Sequence, residues 1–277
     1  MRSDLVTNPI KQHYVPQSYL NFFTDDSNYF YSYLVKSNKI IRQSPKNTGF
    51  QKNFYTLEYE GVKNYEIETY LANNIDCLYK PVVEKIVNDG ILSLNDKKDL
   101  ITFICFQYLR TPYHRENINK NLVKSFRFRN RANIDSNDNE PIDISKEHSL
   151  SHMFEFADEM IQMLMKHDFI ILRSPKEGEF MTSDNPYCMV QEKWSYGSGG
   201  LGILNTAKFF PLTPKHLLYL RNPKNLDIGG RDMNPINLNR KEVRRLNLMI
   251  AYQAHHFIYT KNNHILNNIT KTLNKKK

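Results

Sequence analysis

Four polar residues stand in segments that are otherwise apolar or fixed by proline: His13, Gln107, Arg110 and Asp184. Their types suit acid–base chemistry on a phosphodiester. A histidine titrates near neutrality and can take or give a proton. An arginine keeps its charge at any working pH and can stabilise a charged phosphorane. An aspartate can orient the imidazole. Gln107 lies three residues before Arg110, hence on the same helix face. Buried polar groups must find partners, so these four are expected to converge in one cleft although they are far apart in the chain. His13, Gln107, Arg110 and Asp184 are therefore the catalytic candidates, with Gln17, His114, Ser183, Asn185 and Asn247 in support.

The elements that must position them can be read from periodicity. Leu100 to Leu109 is almost wholly apolar, so its helix should be buried on most sides, with Gln107 and Arg110 as its polar exceptions. Ser93 to Asp96 caps that helix, and Thr111-Pro112 ends it and starts another that carries His114 and Arg115. His13 precedes a short helix opened by Pro16 that carries Gln17, Tyr19, Leu20 and Phe23. Tyr29–Val35 and Lys39–Arg42 read as a hairpin, and Asn53–Leu57 as a third extended piece. A helix is expected from about Tyr65 to Asn88 with a kink at Pro81, and Glu66 and Glu68 near its start suit the helix dipole. Further helices are expected over Glu147–Met165 and from Arg240 to about Tyr259, the last carrying Asn247 and His255. Short strands at Asp168–Arg173 and Phe180–Thr182 deliver Ser183, Asp184 and Asn185 at a strand end. Lys208–Pro214 and His216–Leu220 give more.

The helix from Pro112 runs on through Lys120, Lys124, Arg127, Arg129 and Arg131, a basic stripe broken by Phe126 and Phe128. Such a mixture can track phosphates and stack bases. A formal charge of +9 over 277 residues also favours a polyanionic partner. RNA is expected before DNA, with a protein partner or antitoxin as a further expectation. The 16 Phe and 17 Tyr supply ample core material. Cys77, Cys105 and Cys188 lack paired spacing and read as reduced packing residues of a cytoplasmic protein. No apolar run approaches the roughly 18 residues of a membrane span, so no membrane partner is expected.

Familiar enzyme templates do not fit. HExxH, GxSxG and paired CxxC are all missing from the sequence, which sets aside zincin, serine-hydrolase and zinc-ribbon chemistry. No metal or other cofactor is expected. The loop from Gly197 to Gly202 lacks the order, lysine and following helix of a phosphate cradle. Arg110 and His114 are too close for the Rx4-6H ribonuclease motif of helical toxins, and Pro112 lies between them.

Four boxes taken together, HYVPQSYLNFF, FQYLRTPYHR, FMTSDNP and FPLTPK, resemble a bacterial family with an N-terminal HYVPQ-type box, catalogued as a domain of unknown function (DUF4238). The resemblance spans His13 to about Tyr259. It implies one fold throughout and the recurrent polar residues His13, Gln17, Gln107, Arg110, Ser183, Asp184, Asn185 and Asn247. It also implies a host-defence or toxin-like role.

The fold expected is α+β and mostly helical, its helices packed around a small, mainly antiparallel sheet from the C-terminal half. A single domain is expected over residues 10–260, with flexible termini at 1–9 and 261–277 and a mobile loop at 133–146. The function expected is a metal-independent ribonuclease with a defence or toxin-like role. His13 would act as general base or acid, Arg110 would stabilise the phosphorane and Asp184 would orient the imidazole. The alternative is a non-catalytic module that binds nucleic acid or senses a phage protein or ligand, its polar residues serving only the fold.

Overall fold

A buried helix, α4 (Leu94–Leu109), lies at the centre of the computed structural model, which describes residues 10–118, 146–191, 206–221 and 234–275. Its start is fixed by a capping box. The Ser93 side chain accepts the Asp96 N–H at 3.1 Å and the Asp96 carboxylate accepts the Ser93 N–H at 2.8 Å. From Leu100 onward every residue except Thr102 is buried, as an apolar run with no polar face requires. α5 (residues 112–118) follows at once. Thr111 caps it as expected, its hydroxyl accepting the His114 N–H.

Two further helices pack against α4: α3 (Tyr79–Val87) and α6 (Lys146–Leu164). α1 (Gln17–Leu20) contacts α3. The expected 65–88 helix is real but broken. It begins as α2 (Glu66–Tyr70), widens into a π turn over Leu71–Ile75, tightens to 3-10 over Asp76–Leu78 and becomes α3. The irregularity therefore lies before Pro81. In the first turn of α3 the missing proline N–H would have had no intrahelical partner anyway.

The expectation of a mostly helical protein around one small sheet is wrong. Among the described residues there are thirteen strands in four sheets. Two are pairs: β1 (Lys11–His13) with β4 (Phe50–Lys52), and β5 (Leu57–Tyr59) with β6 (Val62–Asn64). The largest orders β7 (Asp168–Arg173), β9 (Cys188–Gln191), β10 (Thr206–Pro211), β11 (His216–Arg221) and β12 (Ile236–Asn237) as β12-β7-β11-β10-β9. It is antiparallel except between β12 and β7. The fourth sheet runs β3-β2-β13-β8, built from β2 (Phe30–Leu34), β3 (Lys39–Gln43), β8 (Thr182–Ser183) and β13 (Phe257–Thr260). It joins the two ends of the chain. The proteins' mixed α/β character escapes periodicity because these strands hold only two to six residues and several pair across most of the sequence.

Two other expectations need correction. α7 (Arg240–Gln253) stops well before Tyr259, because Ala254 turns to an extended conformation and Phe257 enters β13. The flexible C-terminal tail is, over Asn263–Asn274, a helix, α8. Leu266 and Ile269 are buried along it, and the Asn262 side chain caps its start. Its asparagines and lysines dilute a 3–4 spacing that is nonetheless sufficient to pack. The basic stripe, the Gly197–Gly202 loop and nearly all of 133–146 lie outside the described residues.

Candidate active site around Arg110

Arg110 ends α4 with its side chain fully buried. A guanidinium in that position must be paired. Its Nη2 donates to the Asp76 carboxylate at 2.8 Å and, with Nε, to Gln107 Oε1 at 3.0 and 3.2 Å. Gln107 in turn donates to the Tyr14 carbonyl at 2.9 Å, tying the pair to the segment after β1. The π and 3-10 turns after α2 are what bring Asp76 to this place, and such irregular turns are frequent at functional sites. Burial opposes the Arg110 charge, but Asp76, Tyr55 and Glu68 together outweigh it and hold the group above its ordinary pKa. Nη1 is buried and makes no hydrogen bond.

His13 and Glu68 complete the cluster. The His13 ring leans on Phe50 at 5.4 Å between centroids, and its Nε2 is buried without a hydrogen-bond partner. Burial lowers its pKa, while the Pro45 carbonyl, acting as acceptor, and Asp76 partly offset this and Arg110 adds to it. Glu68 moves the other way. Burial pushes its carboxyl up to about 7, against the charge of Arg110 and the N–H that His13 donates to it. Burial thus favours the neutral form of both the imidazole and the carboxyl beside one fixed positive charge. The ordinary order of the two groups is thereby reversed, the carboxyl keeping its proton to higher pH than the imidazole. The Tyr55 hydroxyl closes the cluster by donating to the His13 carbonyl at 3.3 Å.

Of the sequence candidates, His13, Gln107 and Arg110 come together and Asp184 does not. The carboxylate paired with Arg110 belongs to Asp76. Both Asp184 oxygens are taken by the backbone N–H groups of His255 and His256, at 2.9 and 2.8 Å, so this residue fixes the link from α7 to β13. The other polar positions act nearby. The Ser183 hydroxyl accepts the Asn185 N–H, and Asn185 donates to the Gln253 carbonyl. Asn247 clamps the irregular segment leading into β8, accepting from the Met181 N–H and donating to the Glu179 carbonyl. His114 is buried against Tyr108, and burial pushes its pKa down to about 4. Gln17 is exposed. Lys120, Lys124, Arg127, Arg129 and Arg131 lie outside the described residues.

Two members of the cluster were missed from sequence. Glu68 reads from sequence as a dipole-matched helix start, and Asp76 falls within the helix expected over residues 65–88 with no role given to it. Neither carries a local signal, since each becomes a site group only when α2 and its distorted continuation cross α4.

The boxes themselves interlock. Tyr19 hydrogen-bonds Thr182 at 2.5 Å and donates to the Pro211 carbonyl at 2.9 Å, while Tyr79 donates to the Leu212 carbonyl at 2.5 Å. The first, third and fourth boxes thus touch directly. Comparison with curated proteins and with solved structures finds no match. A family model described as "Protein of unknown function (DUF4238)" matches residues 11–264, which takes in β1, the Arg110 cluster and every box, and the chain belongs to that family.

Proposed function

We propose that this protein cleaves RNA by metal-independent acid–base chemistry at the Arg110 cluster, in a bacterial defence or toxin-like role. The observation that carries the reading is the buried Arg110 guanidinium with an unbonded Nη1 beside His13, whose Nε2 is likewise unbonded. Buried polar atoms without partners are rare and call for a ligand or a catalytic explanation. In the reaction, His13 removes the proton of a ribose 2′-hydroxyl, whose oxygen attacks the adjacent phosphorus. Arg110 bears the charge of the phosphorane. Protonated Glu68 gives its proton to the departing 5′-oxygen, leaving a 2′,3′-cyclic phosphate. Glu68 is thus the general acid, a part the sequence reading gave to no carboxylate, and Asp76 with Gln107 orients Arg110. The net charge of +9 favours a polyanionic substrate.

Purified protein is incubated with total RNA, with and without chelator, beside His13→Ala and Glu68→Gln proteins shown to be folded. Cleavage that survives chelator and falls at least about 100-fold in either variant is expected, the lower range for loss of an acid or base. Unchanged RNA in the wild-type reaction, or cleavage by both variants at the wild-type rate, removes the catalytic reading. RNA retention without cleavage would leave the second reading, a binding module in which Asp76 neutralises a buried arginine that Gln107 hydrogen-bonds.

A further inference from the structure

The link between α7 and β13 carries two adjacent histidines, and the fold holds that link with several separate bonds. His255 and His256 stack with ring centroids 3.8 Å apart. His255 Nε2 lies 3.5 Å from Glu116 Oε2 on α5, and one ligand-capable atom from each of Glu116, His255 and His256 falls within 4.8 Å of the others. Asp184, 1% exposed, gives both carboxylate oxygens to the two histidine N–H groups. The Asp184 N–H binds the Phe257 carbonyl at 3.1 Å, and the Val35 N–H binds the His256 carbonyl at 2.9 Å. The Tyr113 ring meets His255 edge-on at 5.7 Å. Burying a carboxylate is unfavourable even with two amide donors. Fixing one short backbone segment this firmly is what a preorganised ligand set requires.

We propose that Glu116, His255 and His256 bind a divalent transition-metal ion of the zinc type. Zinc takes imidazole nitrogen and carboxylate oxygen at about 2.0–2.2 Å in tetrahedral geometry, which sets neighbouring donors roughly 3.3–3.5 Å apart. The Glu116–His255 separation of 3.5 Å has that value already. The half-exposed Glu116 side chain and the His256 ring reach the rest by rotation about their own bonds. Three protein ligands leave the fourth position to water or substrate, the arrangement of a reactive rather than a closed structural ion. Two imidazoles disfavour calcium and magnesium, which prefer oxygen donors. Spacing could not announce the site, because its carboxylate and its histidines come from opposite halves of the chain. It also gives a use to two boxes of the sequence: Glu116 directly follows FQYLRTPYHR, and Asp184 lies within FMTSDNP.

The full chain, stripped with chelator, is titrated with Co2+ and read by its visible absorption, then back-titrated with Zn2+. One Co2+ per chain with tetrahedral-type absorption, displaced by Zn2+, is expected. His256→Ala and Glu116→Ala should each weaken binding by more than the roughly 10–100-fold that loss of an outer-shell partner costs. Should His256→Ala lower the melting temperature of the metal-free protein, Glu116→Gln, altered at a half-exposed side chain, decides alone. Absence of stoichiometric binding overturns the proposal and leaves the His255–Glu116 contact as a tie between α5 and the α7–β13 link. Binding that is unchanged in the deciding variant places the ion elsewhere and overturns it equally. RNA cleavage is not the readout, so the two proposals stand or fall separately.

Discussion

Arg110 is held by acceptors on two elements, and its truncation strands both. Arg110→Ala leaves the Asp76 carboxylate and Gln107 Oε1 without their donor in a partly dry site. Breaking a buried pair from one side costs about 3–5 kcal/mol, and the 22% exposure of Asp76 argues for the lower end. Thermal melts should show a fall of many degrees for Arg110→Ala. Glu68 allows a sharper test because its titration has a sign. Its folded-state carboxyl is raised to about 7, so the native state holds a proton that the unfolded chain has already lost, and wild-type stability falls as pH rises from the ordinary carboxylate range to about 7. Glu68→Gln carries no such proton. Its stability relative to wild type should change little below that window, rise through it and level off above. Melting temperatures of both proteins at pH 4, 6 and 8 check this, and a difference that is flat with pH would mean the carboxyl is not perturbed.

Elements reach the site only because their connections are unusual. β1 and its extension to Val15 lie against the chain at Gly49, where φ is +67° and the Gly49 carbonyl accepts the Val15 N–H at 3.0 Å. A Cβ on residue 49 would stand 3.0 Å from Val15 Cβ and 3.2 Å from the Val15 carbonyl oxygen. Both conformation and space therefore demand glycine. Gly49→Ala should cost about 1–3 kcal/mol through backbone strain, more if Val15 cannot shift. Urea unfolding should show the loss, and because β1 carries His13, activity should fall with it. The π turn after α2 makes the same point at the other side of the cluster. There the widened and then tightened turns lead into Asp76, whose carboxylate meets Arg110 at 2.8 Å.

The whole molecule is tied across its length rather than assembled from successive pieces. One apolar core runs from Tyr14 through α4 and α6 to Tyr259, and β13 pairs with both β2 and β8. Among the described residues, no helix is long and apolar enough to cross a membrane. Tyr19 is the clearest tie, with its hydroxyl bonded to Thr182 and to the Pro211 carbonyl at zero exposure. Tyr19→Phe keeps the ring and strands both partners. It should destabilise by about 1–3 kcal/mol, which for a chain of this size is a shift of several degrees in one shared transition read by near-UV and far-UV circular dichroism. A loss confined to one signal would mean that the N-terminal segment and the sheets unfold independently.

What the sequence by itself determined is local. The capping box at Ser93, the apolar run of α4 with Gln107 and Arg110 on one face, the N-cap at Thr111, the hairpin around Asn38 and the strands at 168 and 216 follow from spacing and turn chemistry within a few residues of each position. It also marked Arg110 as a charge that must be paired, since a guanidinium on an apolar helix admits little else. Tertiary structure alone decided the partner. Asp76 rather than Asp184 meets Arg110, the Glu68 carboxyl beside that pair is pushed up to about 7 by burial, and Asp184 instead fixes two histidines opposite Glu116. The physical reason is that burial and charge proximity depend on which elements cross, and those crossings join residues that share no local pattern. Strand content was hidden likewise, because a two-residue strand such as β8 exists only through the hydrogen bonds its neighbours offer.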